Sequence, residues 1–150
     1  KNENTIYYMG NNFIDFKDID LSNFKCDEIF CFFDDHINAL YRVKQCIAKK
    51  IKNTLFNDNY PINLGGFYTL EHYFNNYNKF DNISSEERLQ INKHIDIYHI
   101  FPNIFKCNIK CNEGSVECKY IYDDLNCSDY EIFYKERQHY SFNTYLKLKY

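Results

Sequence analysis

The chain has 150 residues, a formal net charge of −3 and 19% aromatic residues, all of them Tyr or Phe. That length fits one domain with a real core, and the aromatic content excludes a disordered chain. The acidic balance argues against nucleic acid as the main partner, and no run of about eighteen apolar residues exists to form a transmembrane helix.

Taken in chain order, the segment 5–20 places Phe13, Ile14 and Phe16 among polar residues with partial period two, which predicts a strand. Ile29 to Phe33 is a short apolar run and predicts a buried strand. Asn38 to Cys46 alternates Ala39, Tyr41 and Val43 against Leu40, Arg42 and Lys44, another strand pattern. Over 47–57, Ile47, Ile51 and Leu55 fall at helical spacing, so a short helix competes there. Pro61 and Gly65-Gly66 mark a loop, and an aromatic stretch follows from Phe67 to Phe80. Residues 84–98 predict the clearest helix, with Ser84 or Ser85 as cap, Glu86 and Glu87 in the first turn, and Leu89, Ile91 and Ile95 as the apolar stripe. Asn103 to Asn112 alternates, with Phe105, Cys107, Ile109 and Cys111 on one face. Glu117 to Tyr122, Tyr130 to Lys135 and Thr144 to Tyr150 predict three more strands. About seven strands and one good helix predict an all-β fold, a β-sandwich with a helical insertion, as one domain over residues 1–150.

Seven cysteines fall in two groups, Cys26, Cys31 and Cys46, then Cys107, Cys111, Cys118 and Cys127. The layout suggests a secreted domain held by disulfides, and the odd count leaves one thiol unpaired or joined to another chain. Cys107 and Cys111, four residues apart on one extended strand, would each staple to a different element. Free buried cysteines are the plainer reading. A zinc site is disfavoured because the second group lacks a Cys-x2-Cys knuckle, so neither metal nor other cofactor is expected. No signal peptide is visible, which fits a mature or trimmed chain beginning at Lys1. Asn82-Ile83-Ser84 is a plausible glycan acceptor in a polar stretch; Asn126-Cys127-Ser128 is a poorer one.

Residues 1–40 are rich in Asp and Glu, above all over 15–28, and a second acidic stretch runs from Glu113 to Glu131; a basic segment from Arg42 to Lys52 lies between them. If both lay on one sheet they would attract a basic partner; the alternative is ordinary solvated strand faces. No Gly-rich phosphate loop, nucleophile elbow or His-Glu-x-x-His motif is present, so no enzyme is expected. Glu136-Arg137-Gln138-His139 copies a short run of pancreatic-type ribonucleases, and a secreted nuclease using His139 with a second histidine is the enzymatic alternative.

Several landmarks, taken in order, resemble the secreted immune-evasion β-sandwich of poxviruses, which includes viral chemokine-binding proteins and the chemokine-binding domain of viral TNF receptors. They are Met9-Gly10, Cys26, the segment Tyr41 to Cys46, Gly66-Phe67-Tyr68-Thr69, the acidic helix start Ser85-Glu86-Glu87, Ile109-Lys110-Cys111-Asn112, and Cys127 followed by Tyr130 to Tyr134. Each motif is short. Cys31, Cys107 and Cys118 have no counterpart, so the family's disulfide pattern does not carry over. The resemblance implies Cys26, Cys46, Cys111 and Cys127 as disulfide candidates and a host immune ligand, most directly a chemokine. Leu70-Glu71-His72-Tyr73-Phe74-Asn75-Asn76-Tyr77 also looks like variant surface antigens of malaria parasites, which are mostly helical.

The expectation is therefore a disulfide-stapled, secreted β-sandwich that binds a chemokine and blocks its receptor. Asp18, Asp20, Glu113, Glu117, Asp123 and Asp124 would form the acidic contact face, and Tyr and Phe would supply anchors. The same fold binding an MHC molecule, another cytokine or a lymphocyte receptor is the runner-up.

Overall fold

The computed structural model describes residues 5–57, 59–62, 66–77, 82–105, 108–111, 114–117, 120–122 and 142–150, those from 103 to 122 by their backbone. Its centre is a strand–helix–strand unit. β1 (Phe30–Phe33) and β2 (Asn53–Phe56) run parallel, with Phe30 opposite Asn53 and Phe33 opposite Phe56. Parallel neighbours need a crossover, and α1 (Ala39–Ala48) supplies it. The Asn38 side chain starts α1 by accepting hydrogen bonds from the amides of Leu40 (2.9 Å) and Tyr41 (3.3 Å), satisfying donors that the first turn leaves open. Leu40, Val43 and Cys46 then recur every three residues and are fully buried.

Two further helices follow. α2 (Leu70–Phe74) begins at a capping box in which Thr69 and His72 bond each other's backbone amide. α3 (Ser85–His94) begins at Ser84, whose hydroxyl accepts the Glu87 amide at 3.1 Å. The chain then enters β3 (Ile95–Ile100), and β8 (Thr144–Leu148) inserts antiparallel between β2 and β3. The result is a mixed four-stranded sheet in the order β1-β2-β8-β3. Two smaller pairs complete the described backbone: β4 (Asn103–Phe105) parallel to β7 (Tyr120–Tyr122), and β5 (Asn108–Cys111) antiparallel to β6 (Gly114–Glu117).

One face of the large sheet is the floor of the core. Phe33, Thr54, Phe56, Thr144, Leu146 and Leu148 point into it and meet Leu40, Val43, Cys46, Tyr68, Leu70, Tyr73 and Ile91. A polar network closes one end. Asn59 donates to the Tyr98 hydroxyl (3.1 Å) and to Thr144 (3.2 Å), Tyr98 donates to Glu71 Oε2 (3.0 Å), and the Glu71 amide returns to Asn59 Oδ1 (2.8 Å). Burial pushes the Tyr98 phenol up, which keeps it protonated as the donor this network needs. The opposite face carries two rows by register: Phe30, Asn53, Lys147 and Ile97, then Phe32, Leu55, Tyr145 and His99.

This architecture corrects the all-β expectation. The segment 38–46 reads as alternating, yet its apolar positions also fit a three-residue spacing, and the Asn38 cap with a sheet to cover selects the helix. Residues 5–20 hold two 3-10 turns, Gly10–Asn12 and Phe16–Asp18, in place of a strand. The helix from 84 stops at His94 because Ile95 turns to extended backbone and pairs with β8. Leu89, expected in its apolar stripe, is exposed. The alternating run 103–112 divides into β4 and β5, which belong to different pairs. Ile29 to Phe33 and Thr144 to Tyr150 do hold strands, but β1 is an edge strand with Phe30 and Phe32 exposed, in place of the buried strand expected there.

The disulfide staple is corrected as well. Cys26, Cys31 and Cys46 are free thiols, so no bridge among the described side chains holds the fold, and the core carries it instead. Cys111 lies on β5, described by its backbone, and Cys107, Cys118 and Cys127 lie outside the described residues, as does the strand expected at Tyr130 to Lys135.

Leu146 is fully buried at the sheet centre and Leu89 is 59% exposed on α3. Leu146→Ala should lower unfolding stability by about 3 kcal/mol and Leu89→Ala by under ~0.5 kcal/mol, measured by urea denaturation.

Candidate functional site

The N-terminal segment has little secondary structure of its own, so its position is set by contacts with α1. Asp15 starts the turn at Phe16–Asp18 by accepting the Lys17 amide at 3.1 Å. The same carboxylate meets Arg42 on α1 at 3.2 Å. Arg42 Nε donates to Asp35 at 2.6 Å and Nη1 to Gln45 at 2.8 Å. The guanidinium also lies within 6 Å of the Phe16, Phe33 and Tyr41 ring centres, a cation–π distance. Burial alone would lower the Arg42 pKa; the bonds to Asp35 and then Asp15 outweigh it and raise it. Farther along, Lys49 Nζ donates to the Ile19 carbonyl at 2.9 Å, and Cys26 lies 3.9 Å from the Lys49 carbonyl.

These attachments leave an open cleft of about 500 Å³ between the N-terminal segment and the end of α1, lined by Lys17, Asp18, Asp20, Leu21, Phe24 and Lys49 among others. Asp18 and Asp20 are both exposed at this cleft. The Ser22 amide, 2.9 Å from Asp20 Oδ1, holds that carboxyl below its ordinary value, helped by the Ser22 hydroxyl and by Lys49. Asp15 is likewise lowered, first by the Lys17 amide and then by Arg42. Phe24, which lines the cleft, is 59% exposed, and earlier in the same N-terminal segment Ile6 is 78%, Met9 70% and Phe13 67% exposed. Single exposed apolar residues are ordinary on a protein surface.

Of the expected acidic face, Asp18 and Asp20 therefore lie together. Glu117 is on β6, with only its backbone described, and Glu113, Asp123 and Asp124 lie outside the described residues. Asn82 is exposed just before the α3 cap, so its amide is accessible.

Cys31 and Cys46 form a pair between β1 and α1. A hydrogen bond from Cys46 lowers the Cys31 pKa, and the same bond, with burial, raises that of Cys46. Cys46 therefore stays a protonated donor inside the core. The Tyr150 hydroxyl caps this end of α1, bonding the carbonyls of Cys46 (3.1 Å) and Ile51 (3.0 Å). Among the described residues, no group of three or more His, Cys, Asp and Glu side chains could hold a metal ion, and no helix is long and apolar enough to cross a membrane.

The described histidines each serve a different part of the fold. His36 stacks on Phe67, His94 lies beside Tyr150, and His99 lies beside Phe101. His72 is fully buried, with Nδ1 3.2 Å from the Thr69 amide that it accepts. His139 lies outside the described residues. Comparisons with protein-family models, with curated proteins and with solved structures give no match.

What the sequence reading missed was Arg42, taken as one charge in a basic stretch. The signal was its place beside Leu40 and Val43, where a helix would turn it inward toward Asp15 and Asp35. Arg42 is buried while Asp15 and Asp35 are each about a third exposed, so its removal costs the charged hydrogen bonds but leaves the carboxylates in reach of water. Arg42→Ala should therefore cost about 2 kcal/mol of stability and speed hydrogen exchange across residues 15–20. Arg42→Lys should not restore that protection, because an ammonium cannot bond both carboxylates in the guanidinium's fixed fork.

Burial holds His72 below the ordinary histidine value of 6.5. The unfolded chain thus takes up this proton more readily, so stability is full above about pH 6.5 and falls as pH drops through the range down to the folded value. His72→Asn should flatten this part of the stability–pH curve, measured by thermal unfolding from pH 7.5 to 5.

Proposed function

We propose that this domain is a binding module for a basic protein, engaged by the acidic and apolar surface of its N-terminal segment. The observation that carries this reading is the pairing, around one open cleft, of the exposed carboxylates Asp18 and Asp20 with the exposed ring of Phe24. Aromatic groups supply contact area that can be desolvated, and the carboxylates raise the rate of encounter with a positively charged surface. The sequence motifs that resemble poxvirus immune-evasion proteins make a chemokine, a small basic protein, the first ligand to try. The sandwich on which that ligand was expected is replaced by a mixed sheet with helices, and the contact surface lies at the N-terminal cleft instead.

Titration with a basic chemokine should show affinity that falls steeply between low and physiological salt. The double variant Asp18→Asn/Asp20→Asn should lower the association rate about tenfold and leave dissociation nearly unchanged. Equal binding by the double variant, or affinity indifferent to salt, would remove this reading.

A further inference from the structure

β1 is an edge strand of the large sheet, and its outer main chain is unpaired among the described residues. The Asn57 amide donates to the Phe33 carbonyl at 2.9 Å, so Phe33 directs its backbone groups toward β2. Backbone direction alternates along a strand, so Cys31 does the same, while Phe30 and Phe32 direct their N–H and C=O groups away from the sheet. Among the described residues, no backbone group bonds to this outer edge. The rings of Phe30 and Phe32 are 58% and 56% exposed. Sheet edges are commonly protected by Lys, Pro or a bulge. β1 has none of these, whereas the opposite edge, β3, is bulged at Asp96, which pairs with Lys147 at 3.0 Å.

Charge decides what would fit this edge. Asp27 and Glu28 stand before the strand, and Asp34 and Asp35 follow it. Lys25 answers Glu28 across an exposed 3.8 Å pair, and Arg42 is shared between Asp35 and Asp15, so both ends keep a negative excess. A second copy pairing antiparallel about Cys31 would set Glu28 against Asp34 and Asp27 against Asp35. Those like charges oppose self-association.

We propose that the edge of β1 receives an extended segment of a basic partner, bearing apolar residues opposite Phe30 and Phe32 and Lys or Arg at both ends. The segment would add a fifth strand to the sheet by main-chain hydrogen bonds, and the terminal carboxylates would select its charge. This deepens the reading of the domain as a module for basic proteins, from which it takes the partner class, and it places contact at a second location.

The probe is a capped nonapeptide, Lys-Lys-Thr-Val-Thr-Val-Thr-Lys-Lys, whose valines would face Phe30 and Phe32. Bound peptide should slow hydrogen exchange at the Phe30 and Phe32 amides at least tenfold. N-methylation of both valines, or replacement of the four lysines by glutamate, should each weaken binding at least tenfold. The site is overturned if the peptide leaves those amides unprotected, if the N-methylated peptide binds equally well, or if the chain alone dimerises through β1 in sedimentation. Peptide failure with chemokine binding retained, still dependent on salt and on Asp18 and Asp20, would sink the strand site and leave the cleft reading standing. Peptide docking on β1, with chemokine binding indifferent to Asp18→Asn/Asp20→Asn, would support the strand site and remove the cleft.

Discussion

A buried guanidinium ties the N-terminal third of this protein together. Arg42 sits 6% exposed on α1, where an ion is costly to keep out of water unless its donors are used. Its Nε bonds Asp35, its terminal nitrogens bond Asp15, and Gln45 takes a further bond. The same group lies near the rings of Phe16 and Phe33, which themselves meet edge to face at 5.0 Å. One side chain thereby joins the N-terminal segment, the β1–α1 connection and the helix. The segment from Gly10 to Phe24 contributes no fully buried residue, so apolar burial alone would place it weakly. The ion pairs and the Phe16 contact set its course.

That course shapes the surface. The chain is held at Asp15, at Ile19 and at Cys26, and between these points it arches over the end of α1. The arch creates the cleft and turns Asp18, Asp20 and Phe24 outward. The same path carries the chain into β1, whose inner residues Cys31 and Phe33 belong to the core while Phe30 and Phe32 lie open. Strand alternation makes this division unavoidable: a four-residue strand with aromatic side chains on both faces, covered on one side only, must expose half of them.

The thiols have a packing role where their side chains are described. Cys46 packs as a small hydrophobe under α1 and, still protonated, donates a hydrogen bond to Cys31 on β1, while Cys26 lies against the helix end. Stability comes from the two-layer core and the polar network of Asn59, Glu71, Tyr98 and Thr144. That network links α2 to β3 and β8, which are far apart in sequence, and it satisfies polar groups that the core would otherwise leave dry.

The sequence by itself determined the strands within Ile29 to Phe33 and Thr144 to Tyr150, and the Ser84 cap with its acidic first turn. Each is a local property, legible from apolar runs, capping side chains or charge. Tertiary structure decided the rest. The segment 38–46 suits a strand by alternation and a helix by three-residue spacing, and only a sheet face requiring cover between two parallel strands resolves it. Ile95 ends a helix because β8, some fifty residues later, offers it a strand partner. Arg42 reads as surface charge until the fold brings it Asp35 from the β1–α1 connection and Asp15 from twenty-seven residues earlier. Cysteine spacing cannot distinguish a bridge from neighbouring thiols, because pairing depends on three-dimensional approach. The open edge of β1 is legible only once the sheet order is known, since the same four residues would be interior in any order that placed a strand on each side.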